Sequence, residues 1–239
     1  MVASEKHIHS AYDRDLEAIQ AMLMKMGGLV EASIVDGTRA LEARDVELAE
    51  KVRHRDKAID ALEEQINEEC ARTIALRAPV STDLRVLLTV FRLTGALERI
   101  GDYAKNMAKR TSVLAEMRPI SGADSALRRM SREVQMMLKD TLDAYVRRDV
   151  EAAEQIRQRD LDVDQMYNAL FREFLTFMME DPRNITACMH LHFIAKNVER
   201  MGDLVTNMAE QVIYLATGSV PDEARPKGDD TSLMGLGEE

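Results

Sequence analysis

Two pairs of acidic residues, each pair spaced four positions apart, are the clearest candidates for chemistry in this sequence. Glu98 and Asp102 form one pair, and Glu199 and Asp203 form the other. On a helix, residues four apart share a face, so each pair presents two carboxylates together. Like charges at this spacing cost an isolated helix ~0.2–0.5 kcal/mol, so each pair indicates either a solvated surface or a bound cation.

Two further acidic pairs with the same spacing strengthen the cation interpretation. Asp56/Asp60 lies before Glu98/Asp102, and Asp160/Asp164 lies before Glu199/Asp203. If neighbouring antiparallel helices bring one pair of each kind together, they supply four carboxylates. An all-oxygen set suits Mg²⁺, Ca²⁺, Mn²⁺ or iron rather than zinc or copper. The metal ligands predicted from the sequence are therefore Asp56, Asp60, Glu98, Asp102, Asp160, Asp164, Glu199 and Asp203.

Basic neighbours offer an explanation without metal. Arg99 and Arg200 adjoin the acidic pairs, and Lys105 or Lys109 is within reach of the first pair. Gly101 and Gly202 lie inside these motifs, where glycine costs a helix ~1 kcal/mol relative to alanine. The glycines indicate close approach of a ligand or backbone, or simply a tight helix crossing; the sequence leaves both explanations open.

The chain contains an internal repeat. Residues 44–60 recur as 148–164, with ten of seventeen positions identical. Residues 98–110 recur as 199–211, with seven of thirteen identical. Two blocks repeated in the same order indicate a duplicated unit. The Pro/Gly/Ser cluster between the copies predicts a linker over 118–123, which separates units over 1–117 and 124–217.

Helical periodicity fills both units. With 5 prolines, 11 glycines and 4% aromatic residues, the chain is poor in strand formers. Apolar residues alternate in steps of three and four, for example Leu93, Leu97 and Ile100 with their counterparts Ile194, Val198 and Met201. Three such seams per unit predict an all-α fold of two tandem three-helix bundles with six long antiparallel helices. On the seam of the third helix, Glu98 and Asp102 should point away from the bundle core.

Charge and composition exclude several functions. The net charge of −10 disfavours nucleic acid and anionic membrane surfaces as partners. No uncharged stretch is long enough to span a bilayer and the first thirty residues lack a secretory signal, so we expect a cytoplasmic protein without membrane insertion.

Cys70 and Cys188 are expected in the core. The last 22 residues carry six acids and two bases and predict a disordered tail over 218–239. No nucleotide-binding or catalytic motif is present, so we expect no catalytic residues and no organic cofactor.

Four segments together resemble the PhoU family of phosphate-specific transport system accessory proteins. They are the opening His7-Ile-His-Ser, Met26-Gly-Gly-Leu-Val-Glu31, Arg77-Ala-Pro-Val-Ser-Thr-Asp-Leu-Arg85 and the doubled Glu-Arg-x-Gly-Asp. The resemblance covers nearly the whole chain except the tail. It implies the same two-bundle fold and associates the acidic pairs with metal clusters.

The resemblance also implies a function. Such proteins restrain the phosphate-starvation response when phosphate is plentiful, working between the ATP-binding subunit of a phosphate ABC transporter and a sensor histidine kinase. We accordingly expect a non-enzymatic negative regulator, and further expect a homodimer. Two alternatives stay open at this point: a metal-binding enzyme that uses the carboxylates, and a passive helical scaffold.

Overall fold

The computed structural model describes the backbone of residues 2–221 and the side chains of residues 12–221, and this part of the chain is helical without strands. The long helices are α1 (Val2–Ala43), α2 (Val46–Arg77), α3 (Thr82–Leu114), α4 (Ala123–Arg147), α5 (Val150–Glu180) and α6 (Ile185–Thr217). A short 3-10 turn over Pro182–Asn184 precedes α6. The all-α prediction is confirmed; the predicted tail from residue 222 onward lies outside the described residues.

The helices form two three-helix bundles that pack side by side. Helices α1, α2 and α3 contact one another in the first bundle, and α4, α5 and α6 do so in the second. Between the bundles, α1 packs on α4 and α3 packs on α6, which leaves α2 and α5 on the outside. Hydrogen bonds from Arg92 to Gln211 and between Arg110 and His190 show that α3 and α6 run antiparallel.

The repeat is visible in the helix ends. Asp45 and Asp149, at equivalent positions, cap α2 and α5 by accepting hydrogen bonds from the backbone N–H groups of Leu48 and Ala152. Each capping aspartate follows an arginine, Arg44 or Arg148, with a left-handed φ of 55° or 54°. Both units therefore reverse direction between their first two helices with the same backbone geometry.

The apolar seams predicted from the sequence form the core. Leu93, Leu97 and Ile100 of α3 are fully buried, as are Ile194 and Val198 of α6. Most buried apolar side chains of both bundles belong to one continuous cluster, so the two units share a core. A small separate group comprises Ala40, Ala49, Val52 and Ala108. The proposed unit boundaries stay a prediction. Both cysteines are buried and unpaired, as expected.

Helix α1 contains a segment, Tyr12–Ala43, that is long and apolar enough to cross a membrane by length and composition alone. Lys25 and Glu31 interrupt its apolar residues, so the segment contains no uncharged stretch long enough to span a bilayer. In the structure, its apolar stripe packs against three helices, with Leu23 and Met26 fully buried. These contacts are those of a core helix in a bundle.

Candidate functional site

The first acidic cluster lies between α2 and α3. Asp56 of α2 is 5% exposed. Lys105 of α3 pairs with Asp56 and, over 2.9 Å between its Nζ and an Oδ1, with Asp102. Both hydrogen bonds raise the pKa of Lys105, so it stays charged. Lys105 thus joins an acid of each helix. This is one of the ways to neutralise the acids without metal that the sequence left open.

Three further carboxyls surround this pair. Asp60 and Glu63 continue along α2, and Glu98 faces them from α3. Partial burial raises the pKa of all three, and nearby carboxylates raise it further. The carboxylates that raise the pKa of Glu98 are those of Asp102, Glu63, Asp60 and Asp56. The structure therefore brings together the four predicted acids of this half and adds Glu63.

The second acidic cluster, between α5 and α6, is more deeply buried. Asp160, Asp164 and Glu199 are 2%, 5% and 6% exposed. Lys196 forms a 3.0 Å salt bridge with Glu199, and its ammonium lies 4.8 Å from the centre of the Tyr167 ring. Asp203 follows Glu199 by one turn and is half-buried.

The position of the positive charge differs between the halves. In the second half, the residue equivalent to Lys105 is Thr206, whose hydroxyl donates to the carbonyl of Gly202 over 3.0 Å. Lys196, at a position that is Gly95 in the first half, supplies the cation instead. The two clusters therefore keep their acids but neutralise them from different positions.

Glu98 and Asp102, expected to point away from the bundle core, are half-buried, and Glu98 lies beside the acids of α2 in the same bundle. Glu199, the repeat counterpart of Glu98, is buried between helices, so the expected outward orientation was wrong there. The expected orientation rests on the angle of each acid from a single apolar seam. In the structure, α3 packs against α1, α2 and α6, and α6 packs against α3, α4 and α5. With three neighbours, a helix buries a wider sector than one seam defines.

The motif glycines occur at tight helix crossings. A Cβ on Gly101 would lie 3.1 Å from the Cδ1 of Ile59. A Cβ on Gly202 would lie 3.2 Å from the Oδ1 of Asp160 and 3.3 Å from the Cγ1 of Val163. Of the two explanations the sequence left open, helix crossing therefore applies to both, and at Gly202 the crossing also brings the Asp160 carboxylate against the backbone of α6.

The donor set of these clusters fits a hard cation. All predicted ligands are carboxylates, and the pKa values of Asp60 and Glu98 are raised first by burial and then by neighbouring carboxylates, both of which a bound cation would offset. Among residues 12–221, no three His, Cys, Asp or Glu side chains are arranged to hold a metal ion. With Lys105 between Asp56 and Asp102, binding by those acids requires the ammonium to move.

Several residues of the clusters were missed by sequence reasoning. Glu63 lies three residues after Asp60 and so extends the same stripe, a signal that was available. Lys196 lies three residues before Glu199, an equally available signal. Arg157, outside the clusters as defined but at the same α5/α6 junction, is 3% exposed and pairs with Glu154 and Glu210. Its burial depends on tertiary packing that periodicity does not report.

Fold and site together define a class of protein: two homologous three-helix bundles, each with a carboxylate-rich seam between its second and third helices. The family model described as "PhoU domain" matches this chain twice, over residues 23–111 and 127–212. The chain belongs to the PhoU family.

Known relatives match the sequence of this chain over nearly its full length. The chain is 45% identical over 232 residues to a protein of Rhizobium meliloti named phosphate-specific transport system accessory protein PhoU homolog, with 97% of this chain and 98% of the relative covered. A protein of the same name from Caulobacter vibrioides is 42% identical over 224 residues, covering 94% and 97% of the two chains.

Solved structures share the fold. The crystal structure of PhoU from Pseudomonas aeruginosa superposes with a TM-score of 0.84 at 38% identity, covering 87% of this chain and 100% of that one. The phosphate transport system regulatory protein PhoU from Streptococcus pneumoniae gives a TM-score of 0.82 at 30% identity, covering 89% and 100%.

Proposed function

We propose that this protein is a cytoplasmic negative regulator of the phosphate-starvation response and a modulator of phosphate uptake. The observation that carries the proposal is the 45% identity over 97% of the chain to a phosphate-specific transport system accessory protein. The match extends through both acidic motifs, and the PhoU domain model covers both bundles.

The proposed mode of action is binding rather than catalysis. A regulator without chemistry of its own shifts a partner between two states only if it binds one state more tightly than the other. The partners proposed here are the ATP-binding subunit of a phosphate ABC transporter and a phosphate-sensing histidine kinase. The accessory role stated in the relatives' names supports a non-enzymatic protein.

A binding measurement tests this mode of action. The purified full chain is titrated with the transporter's ATP-binding subunit and, separately, with the cytoplasmic part of the kinase. We expect saturable binding to each partner. For at least one partner, we expect tighter binding to one of its nucleotide states than to the others. Equal affinity for all states of both partners would contradict the proposal. Light scattering of the purified chain alone tests the predicted homodimer.

We further propose that the two acidic clusters bind divalent or iron cations. Asp60 raises the pKa of Glu63, and both raise the pKa of Glu98 beyond the effect of burial; this concentration of negative charge supports a cation site in the first half. The burial of Asp160, Asp164 and Glu199 around one α5/α6 crossing supports a second. Chemically, a bound cation would supply positive charge that holds α2 against α3 and α5 against α6.

Elemental analysis of protein purified without chelator tests the metal proposal. The informative variant is Glu98→Gln/Glu199→Gln, which removes one carboxylate from each cluster and keeps side-chain size. The control, Glu68→Gln/Glu151→Gln, changes the net charge equally at two exposed positions. We expect bound metal to fall in the first variant only. Equal metal in the parent and both variants would exclude these ligands.

A further inference from the structure

The outward side of α3 carries a row of arginines without intervening acids. Arg85, Arg92 and Arg99 follow one another at intervals of seven residues, about 10.5 Å along a helix axis. Arg110 lies eleven residues beyond Arg99 and extends the same side of the helix. Arg92 and Arg99 are exposed, and the other two are half-buried.

This row lies along the junction of α3 with α6. A groove between the helices is lined by Arg92, Gly95 and Arg99 on one side and by Asn207 and Gln211 on the other. Arg92 donates a 2.6 Å hydrogen bond to the Oε1 of Gln211.

Aromatic rings of α6 hold the two ends of the row. The guanidinium groups of Arg85 and Arg92 lie 5.6 and 5.5 Å from the ring centre of Tyr214. At the other end, Arg110 lies 4.3 Å from the ring centre of Phe193. Such stacking fixes a guanidinium on an apolar surface without cancelling its charge.

Arg200 adds a fifth positive charge from α6. It is the repeat equivalent of Arg99, is exposed, and lies seven residues before Asn207 on the same helix side. We call Arg85, Arg92, Arg99, Arg110 and Arg200 the arginine face. Within the described residues, none of the five forms a salt bridge.

The acids of α3 and α6 lie elsewhere. Each helix has three acids, Asp83, Glu98 and Asp102 in α3 and Glu199, Asp203 and Glu210 in α6. Five of the six belong to the sides that face α2 and α5: Glu98 and Asp102 join the first cluster, Glu199 and Asp203 the second, and Glu210 pairs with Arg157 of α5. Asp83 lies close enough to Tyr12 of α1 to raise its pKa. A chain with a net charge of −10 thus keeps one side of its central helix pair positive.

The chain leaves α6 at one end of this face. Gly218 ends the helix with a φ of 87°, and a Cβ there would lie 2.8 Å from the Nη2 of Arg85. The following residues 222–239 contain six acids and two bases. A segment of opposite charge therefore starts only a few residues from the first arginine of the face.

We propose that the acidic segment 222–239 binds the arginine face of its own chain. Its 18 residues reach about 60 Å when extended, whereas the face from Arg85 to Arg110 spans about 38 Å of helix. Opposite charge provides the attraction. Attachment to α6 provides an effective concentration in about the millimolar range for a short linker, which favours this segment over an untethered acidic partner.

Paramagnetic relaxation tests the proposal in the full chain. A nitroxide is attached at Ser232→Cys; the native thiols Cys70 and Cys188 are 0% exposed and do not compete. We expect loss of the backbone amide signals of Gly95, Asn207 and Gln211 at low ionic strength. The signals should return at about 1 M salt, where the Debye length falls to ~3 Å.

Matched variants define the contact. Asp229→Asn/Asp230→Asn/Glu238→Gln/Glu239→Gln and Arg92→Gln/Arg99→Gln should each restore the lost signals. The control Arg132→Gln/Arg147→Gln, at exposed positions of α4, should not. A loss that persists in the acid-neutralised or arginine-face variant overturns the proposal.

Two further outcomes identify other occupants. Signal loss in a mixture of spin-labelled chains without isotope and isotope-labelled chains without nitroxide assigns the face to the segment of a second copy, which overturns binding within one chain. If no loss occurs at the face in any sample, the proposal is wrong, and the arginine face is left for an acidic segment of another protein.

Discussion

At the residue scale, the first acidic cluster is held by an internal cation. Lys105 bridges Asp56 of α2 and Asp102 of α3, so it neutralises a buried acid and joins two helices. Asp60, Glu63 and Glu98 lie around this bridge with raised pKa values. The cluster therefore has one stabilising bridge and an excess of negative charge.

Removing the bridging ammonium should destabilise the protein. Lys105→Met leaves the buried Asp56 carboxylate without its charged donor, and we expect the free energy of unfolding to fall by about 1–3 kcal/mol. Urea denaturation at pH 7 measures it. Lys109→Met, an exposed lysine of the same helix, should stay within about 0.5 kcal/mol of the parent. Equal effects of the two substitutions would show that the bridge adds nothing.

The raised pKa of Glu98, caused first by burial and then by neighbouring carboxylates, predicts a pH dependence. A carboxyl whose pKa is higher in the folded than in the unfolded state costs stability as pH rises from the unfolded value to the folded one. For Glu98 this range starts near its ordinary pKa of 4.5 and extends upward. In the presence of a chelator, the free energy of unfolding of Glu98→Gln should therefore exceed that of the parent by a margin that grows as pH rises above 4.5.

Denaturation curves at several pH values test this prediction. If the metal proposal holds, adding Mg²⁺ or Mn²⁺ should stabilise the parent more than Glu98→Gln and reduce the difference. A variant that is less stable than the parent at neutral pH in the presence of chelator would contradict the unfavourable ionisation of Glu98 inferred from its burial and its acidic neighbours.

At the element scale, glycines in α3 and α6 have different roles. A Cβ on Gly95 would meet nothing within 4 Å, whereas a Cβ on Gly202 would press on Asp160 and Val163, both buried. We expect Gly95→Ala to stabilise the protein by about 1 kcal/mol through helix propensity. Gly202→Ala should destabilise it by about 1 kcal/mol, because overpacking costs ~1–3 kcal/mol against that gain. Thermal melts of both variants are the measurement; stabilisation by Gly202→Ala would contradict the tight crossing.

The helices and their seams were predictable from the sequence because period and caps are local signals. Leu93, Leu97 and Ile100 are buried as their spacing indicates. The orientation of Glu199 was not predictable, since it depends on how many helices surround α6. The left-handed turns at Arg44 and Arg148 were also missed, because neither position carries the glycine that usually marks such a turn.

At the scale of the whole molecule, the two bundles should unfold together. Most of their buried apolar side chains form one continuous cluster through the α1/α4 and α3/α6 contacts, so neither bundle loses its core alone. We expect a single urea transition, with far-ultraviolet circular dichroism and tyrosine fluorescence changing at the same midpoint. Two separated transitions would show that the repeats are independent domains.

The proposed negative regulation of the phosphate-starvation response can be measured in cells with a reporter of that response. Cells that lack this protein are grown in high phosphate and complemented with the wild type or Glu98→Gln/Glu199→Gln. We predict that the reporter is on without the protein and is silenced by the wild type. Silencing lost in the variant would assign the regulation to the carboxylate clusters. A reporter that stays off in cells without the protein would contradict the proposed regulation.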